Sequence, residues 1–317
     1  MTNRSKTPRF VSVVVKLLVG LIALVSVSIA VLALVFLIVD KRSGTIVSSG
    51  EKRAYLMHVP ESYNGANPVP LVIAIHGFAE WPAHEALISH WNDVADEEGF
   101  IVVYPSGTRF PKRWRASGTP VDGEDPLIDV RFIADLIEHL QAQYNIDPAR
   151  IYANGLSNGG GMSYLLACTL SDRLAAVGSV AGAYLYPQDN CTPARPVPMI
   201  VFHGTADPIV PYSGGPSHSF DVPFPFIPAW VKGYAATVNH CEPTPELFPS
   251  SGNDISGMRY TGCDENAEVV FYSIAGGGHS WPGGDPIPYW IVGKTSQSID
   301  ATRVMWEFFH SHPLENR

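Results

Sequence analysis

Residues 151–162 read Ile-Tyr-Ala-Asn-Gly-Leu-Ser-Asn-Gly-Gly-Gly-Met, and this stretch decides the fold. Ile151-Tyr152-Ala153 is a short apolar run of the kind that forms a buried strand. Gly155-Leu156-Ser157-Asn158-Gly159 is a G-x-S-x-G motif, and residues 159–170 continue it as a helix. A serine at the apex of a strand, a tight turn and a helix is a nucleophile elbow. The turn holds the serine in a strained backbone conformation, and glycines at 155 and 159 let the backbone pass where side chains would block it. The Asn158 N–H then opens the helix and points toward a developing oxyanion. A glycine-rich loop with an inert serine would share the five residues but not the strand and helix around them.

Working outward, short apolar runs at 53–59, 71–76, 101–104, 176–180, 199–202 and 269–274 read as further strands. Between them, 84–98, 127–143, 228–239 and 298–310 read as helices. In 127–143, Val130, Ile133, Ala134, Ile137 and Leu140 recur at helical spacing, a stripe that faces a sheet. Strands alternating with helices predict an α/β class with a mostly parallel central sheet covered on both faces. Residues 213–228 and 243–257 read as loops, the first an ordinary packed loop or, as the alternative, a rim of the site.

A serine hydroxyl needs a base and an orienting acid to attack at neutral pH. Asp207 is the candidate acid, in the turn His203-Gly204-Thr205-Ala206-Asp207-Pro208 after the strand at 199–202. That is the C-terminal end of a strand, where sites of parallel sheets form. Asp172, Asp189 and Asp221 lack that placement. His279 is the candidate base, in Gly276-Gly277-Gly278-His279-Ser280-Trp281 after the strand at 269–274. Its rivals are His203, His218 and His240, of which His203 ends a strand and reads as turn packing. Ser157, Asp207 and His279 follow the chain order serine, acid, histidine used with a nucleophile elbow. The second oxyanion donor is expected after an early strand, at the Phe78 N–H of His76-Gly77-Phe78-Ala79, where a structural glycine turn is the alternative. No phosphate-loop, dinucleotide or HExxH motif occurs, so neither cofactor nor metal is expected.

The chain has 317 residues and a net charge of −9. Residues 1–40 hold four basic residues and one acid, which leaves 17 basic and 29 acidic residues in the remainder, a net of −12. Such a domain repels nucleic acid. Residues 17–39 carry no charge, and a helix of that length would cross a hydrocarbon core of roughly 30 Å. A cleaved signal peptide is the alternative, with a shorter apolar region and a small-residue cleavage site. The expected organisation is a basic tail (1–16), a transmembrane anchor or uncleaved signal (17–39), a linker (40–52) and a catalytic domain (53–312). Cys168, Cys191, Cys241 and Cys263 all follow the apolar segment, an even count compatible with disulfides in an extracytoplasmic, oxidising compartment. Cys168–Cys191 with Cys241–Cys263 is the most local of the three pairings, and four free thiols are the alternative.

Taken in order, IAIHGF, DVRFIADLI, DPARIYANGLSNGGGMSYLLAC, AAVGSVAG, FHGTADPIVPY, GGGHSWPGG and IDATRVMWEFF resemble secreted α/β-hydrolase esterases related to polyhydroxybutyrate depolymerases and feruloyl or acetylxylan esterases. The resemblance covers about residues 52–310. It implies Ser157, Asp207 and His279 as a triad acting on ester substrates through an acyl-enzyme, and it favours the two local cysteine pairs. The chain departs from the family after His76-Gly77, where it reads Phe-Ala-Glu-Trp. Trp81 and Trp281 are candidate substrate contacts, and Trp114, Trp230 and Trp290 share that residue type. A peptidase on the same fold and a non-catalytic polymer-binding protein stay open at this point, as does the oligomeric state.

Overall fold

The computed structural model describes residues 13–28, 41–120, 123, 125–216, 223–249 and 254–314, in two units divided between Lys41 and Arg42. In the first unit residues 13–28 form a helix, α1. Residues 29–39 of the expected membrane segment lie outside the described residues. Among those described, no helix is long and apolar enough to cross a membrane.

The second unit is built on a ten-stranded sheet. Its strands are β1 (Gly44–Ser48), β2 (Glu51–His58), β3 (Val69–Ile75), β4 (Ile101–Pro105), β5 (Ile146–Leu156), β6 (Ala176–Val180), β7 (Met199–Gly204), β8 (Glu246–Pro249), β9 (Ile255–Tyr260) and β10 (Val269–Ile274). The helices are α2 (Pro82–Ser89), α3 (Trp91–Glu98), α4 (Ile128–Gln141), α5 (Asn158–Thr169), α6 (Ile227–Gly233), α7 (Tyr289–Val292) and α8 (Ala301–His310). The order across the sheet is β1-β2-β4-β3-β5-β6-β7-β10-β9-β8. From β4 to β10 the neighbours are parallel, and β2, β1 at one edge and β9, β8 at the other are antiparallel.

The strand pattern explains the two cores. Successive side chains point to opposite faces, so Leu71, Ile73 and Ile75 of β3 join one cluster while Val72 and Ala74 join the other. The first cluster is closed by Phe132 and Leu136 of α4, Met162 and Leu165 of α5 and Trp230 of α6. The second is closed by Ile88 of α2, Trp91 and Val94 of α3 and Met305 and Phe309 of α8. Strands buried on both faces read as near-continuous apolar runs, which is why the parallel strands were legible in the sequence.

Three stretches depart from expectation. The stretch read as a linker, 40–52, carries β1 and the start of β2. Ser49 and Gly50 both take positive φ (49° and 80°), the turn that closes a tight hairpin, and Ile46 buries itself against the first core. The loop expected at 243–257 holds β8 and the start of β9. β9 mixes buried and exposed residues beside the edge strand β8, a weaker signal than a fully apolar run. The expected helix at 84–98 is two helices, α2 and α3, broken at His90, which sits in the left-handed region (φ 55°). Both disulfides, Cys168–Cys191 and Cys241–Cys263, are present.

Glu85 faces inward from α2, fully buried, and among the described residues neither of its carboxylate oxygens has a hydrogen-bond donor. Burial, with nearby Glu80 adding to it, raises its pKa well above the usual carboxylate range. With the folded pKa above the unfolded one, its contribution to stability is full below roughly pH 4.3 and is lost as pH rises toward the folded value. Glu85→Gln keeps the shape and removes the charge. The variant is expected to match the parent in Tm at pH 4 and to exceed it increasingly up to pH 8. A Tm difference that does not change with pH would contradict this account.

Candidate active site

Ser157 sits between β5 and α5 with φ 57° and ψ −117°, a strained conformation for a non-glycine residue. The sequence permits this turn because it leaves side chains out where the chain is crowded. A Cβ at Gly155 or at Gly159 would overlap the carbonyl oxygen of Ile75 at the end of β3. The turn is anchored by the Ser157 N–H donating to Val180 O (2.9 Å) and by Ser157 O accepting from Ala183 N (2.9 Å).

Asp207 and His279 are in direct contact. Asp207 follows β7, and His279 follows β10, its neighbour in the sheet. His279 Nδ1 lies 2.8 Å from Asp207 Oδ2. Asp207 Oδ1 accepts the N–H groups of Ile209 and Val210, both at 2.8 Å. A carboxylate can only accept, so Nδ1 carries the proton and a neutral His279 has its free lone pair on Nε2. The His279 loop is held to the segment after α7, with His279 N–H to Val292 O at 2.6 Å and Gly278 N–H to Lys294 O at 2.8 Å. A Cβ at Gly278 would overlap the Val292 carbonyl, which accounts for the glycines before the histidine.

Ser157, Asp207 and His279 thus lie at the C-terminal edge of the parallel strands, each less than a tenth exposed. Among the described residues no hydrogen bond joins Ser157 Oγ to His279. Such bonds commonly tighten only when a substrate is bound. His203 is buried behind the pair, its Nε2 2.9 Å from Val210 O and 3.4 Å from Asp207 Oδ2. Burial lowers its pKa against the pull of Asp207, so it stays neutral and packs the turn. His240 pairs with Asp264 on the surface (2.8 Å). His218 and Asp221 lie outside the described residues.

The loop after β3 shows which amide is left over. Gly77 N–H donates to Glu80 Oε2 (2.8 Å) and Ala79 N–H to Lys112 O (2.8 Å). The Phe78 N–H between them has no acceptor among the described residues, and neither has the Asn158 N–H that opens α5. His76 fixes the Gly77–Phe78 peptide plane. Its Nδ1 is 2.7 Å from Gly77 O, while its Nε2 accepts from Gly107 N–H at 3.0 Å. Burial pushes this imidazole down to about 4, so it stays neutral, with its proton on Nδ1. Burial alone would raise the Glu80 carboxyl, but His84 and the Gly77 N–H hold it below the usual range. The sequence singled out Phe78 but not His76, Glu80 or the 107–114 segment as its supports. Nothing local in 107–114 indicates that it folds against 76–79.

The tryptophans correct one expectation. Trp281 does not face a substrate. It is about 1% exposed, packs in the second core and donates its indole N–H to Thr302 Oγ1 at 2.8 Å. Trp81 is half-buried at the N-cap of α2. Trp114 and Trp230 are buried, whereas Trp290 on α7 is exposed. A cavity of about 690 Å³ lined by Pro148, Ala149, Arg195 and His312 lies at the opposite, N-terminal edge of the strands. Its size would favour it as a binding site, but ligands of parallel sheets bind at the carboxyl ends, and that is where the Asp207–His279 pair lies. Among the described residues no cluster of His, Cys, Asp and Glu is arranged to hold a metal ion.

A putative esterase NocK from Nocardia uniformis subsp. tsuyamanensis is 30% identical over 280 residues, spanning 83% of this chain and 80% of that protein. Feruloyl esterase B of Piromyces equi is 30% identical over 240 residues, and the bifunctional acetylxylan esterase/xylanase XynS20E of Neocallimastix patriciarum is 27% identical over 238. This chain spans only 42% and 32% of those two proteins, respectively. Among solved structures, an acetyl xylan esterase from Aspergillus awamori superposes with a TM-score of 0.55 at 17% identity, over 84% of this chain and 98% of that one. A thermostable esterase gives 0.56 at 18% identity, over 86% and 63%. At these identities the structures show the fold, the α/β-hydrolase fold. Residues 53–209 match the family described as Esterase PHB depolymerase, and with the relatives above this shows that the chain belongs to that family.

Proposed function

We propose that this protein is a serine carboxylic-ester hydrolase that works through an acyl-enzyme. The observation that carries the reading is the saturated Asp207 carboxylate, which leaves His279 with its basic nitrogen on Nε2. In the proposed first step Nε2 takes the Ser157 proton as Oγ attacks the ester carbonyl. The oxyanion is received by the Asn158 and Phe78 N–H groups, both without an acceptor among the described residues. The imidazolium returns its proton to the leaving alcohol oxygen. Water, activated by the same Nε2, then attacks the acyl-enzyme and releases the acid and Ser157.

The substrate class is proposed from two supports. The relatives' names point to feruloyl and acetylxylan esters, and the family description to polyhydroxyalkanoate esters. The second support is the exposed pair Tyr289 and Trp290 on α7, one turn from the Val292 carbonyl that holds His279. Exposed aromatic rings bordering a site suit a sugar or polymer chain. A rate profile across acetyl, butyryl, 3-hydroxybutyryl and feruloyl esters tests this assignment. A preference of at least tenfold for one of them is expected, and equal kcat/KM values on all four would remove the assignment. The two disulfides support an extracytoplasmic setting. For a membrane tether the support is the uncharged composition of 17–39 alone.

A further inference from the structure

The candidate oxyanion donors lie on two separate segments, the Asn158 N–H at the start of α5 and the Phe78 N–H after β3. Their spacing decides whether both can reach one oxygen, and a misplacement of about 1 Å can cost a hundredfold in rate. One residue touches both segments. The Asn158 side-chain amide clasps the backbone of Trp114, with Trp114 N–H donating to Asn158 Oδ1 at 2.7 Å and Asn158 Nδ2 donating to Trp114 O at 3.2 Å. The indole Nε1 of the same residue donates to His76 O at 3.0 Å. His76 in turn fixes the Gly77 carbonyl and so the direction of the Phe78 N–H.

Trp114 is braced from behind. Its ring lies near-parallel to Phe132 (6.4 Å, 7°), and the Arg53 guanidinium sits 4.0 Å over the other ring of that pair. Arg53 is paired with Asp129 at 2.8 Å, and Asp129 also accepts the Arg115 N–H at 2.8 Å, one residue on from Trp114. Trp114, Asp129 and Arg53 are all buried. An ion pair this deep is a costly way to gain stability alone, but it fixes the position of the segment that carries Trp114.

We propose that Trp114 is a positioning residue that holds the two oxyanion donors at a fixed separation, a role that rests on the serine-hydrolase reading above. The ring contacts no reacting atom. Its work is to join Asn158 to His76 through one backbone clasp and one indole hydrogen bond. Loss of the indole N–H removes the donor on the His76 carbonyl, leaves that peptide held on its Gly77 N–H side alone and lets the Phe78 N–H drift, which weakens the transition state and not the ground state.

Trp114→Phe keeps the ring and the clasp and removes only the Nε1–H bond. On p-nitrophenyl acetate its kcat per active site, counted by burst titration, is expected to fall roughly ten- to a hundredfold with KM within about twofold. Affinity for a boronic acid that mimics the tetrahedral intermediate is expected to fall by the same factor, while affinity for the carboxylic acid product stays unchanged. Should Trp114→Phe fail to fold, Asn158→Asp, which loses the 3.2 Å half of the clasp, gives the same readouts. Unchanged kcat per site, or a loss of boronate and product affinity in equal measure, would overturn the role. Ser157→Ala is run beside it. If that variant stays active, the serine reading fails, whereas an inactive Ser157→Ala beside a fully active Trp114→Phe removes only the positioning role.

Discussion

Replacing Ser157 by alanine is expected to lower kcat by roughly 10⁵- to 10⁶-fold, as loss of the nucleophile does in serine hydrolases generally. The residual rate would be what an oxyanion hole and binding alone supply to water. The fold should survive the change. Ser157 Oγ makes no hydrogen bond among the described residues, so alanine breaks none. The turn is held instead by backbone bonds to Val180 and Ala183 and by the close approach of Gly155 and Gly159 to Ile75. Alanine meets the positive φ of 57° at much the same cost as serine, so stability should shift by no more than about 0.5 kcal/mol. Purified enzyme assayed on p-nitrophenyl acetate, with Tm measured alongside, checks both halves. A variant that keeps more than a hundredth of the activity at unchanged Tm would remove Ser157 from the mechanism.

That prediction could be framed from the sequence alone, and it is instructive which parts could not. The elbow was legible because its signals are local: an apolar strand, the five-residue motif and a helix in one uninterrupted stretch. The parallel strands were legible because burial on both faces leaves runs such as Leu71–Ile75 with no polar residue. Asp207 and His279 were legible because each follows such a run in a glycine-rich turn. What escaped was structure whose cause lies elsewhere in the chain. β1 depends on pairing with β2 through a two-residue turn, β8 is an edge strand, and β9 beside it interrupts its buried residues with exposed ones, so neither β8 nor β9 shows a continuous apolar run. The supports of the loop after β3 come from Gly107 and Trp114, 31 and 38 residues from His76. Trp281 illustrates the reverse error. Its residue type made it a candidate substrate contact, but its indole N–H finds an acceptor on α8, at Thr302 Oγ1, and the ring is buried in the second core.

The local geometry of Asp207 makes the second large effect specific. Asp207→Asn is nearly isosteric, and it is expected to reduce kcat roughly 10⁴-fold with little change in KM or Tm. The reason lies in the two backbone donors on Oδ1. An asparagine here must turn its oxygen toward the Ile209 and Val210 N–H groups, because turning its NH₂ that way would set donors against donors. Its NH₂ then faces His279 Nδ1, which must accept instead of donate. The imidazole proton moves to Nε2, the nitrogen that has to receive the Ser157 proton, and the base is lost while the ring stays in place. Asp207→Ala separates this effect from simple support. It leaves both N–H groups and the imidazole unpartnered and should cost about 1–3 kcal/mol of stability as well. Nitrogen NMR of the His279 ring reads the tautomer directly, Nδ1–H in the parent and Nε2–H in Asp207→Asn. A ring that keeps its proton on Nδ1 in the variant, or a kcat within tenfold of the parent, would mean that Asp207 does not set the tautomer on which the proposed chemistry depends.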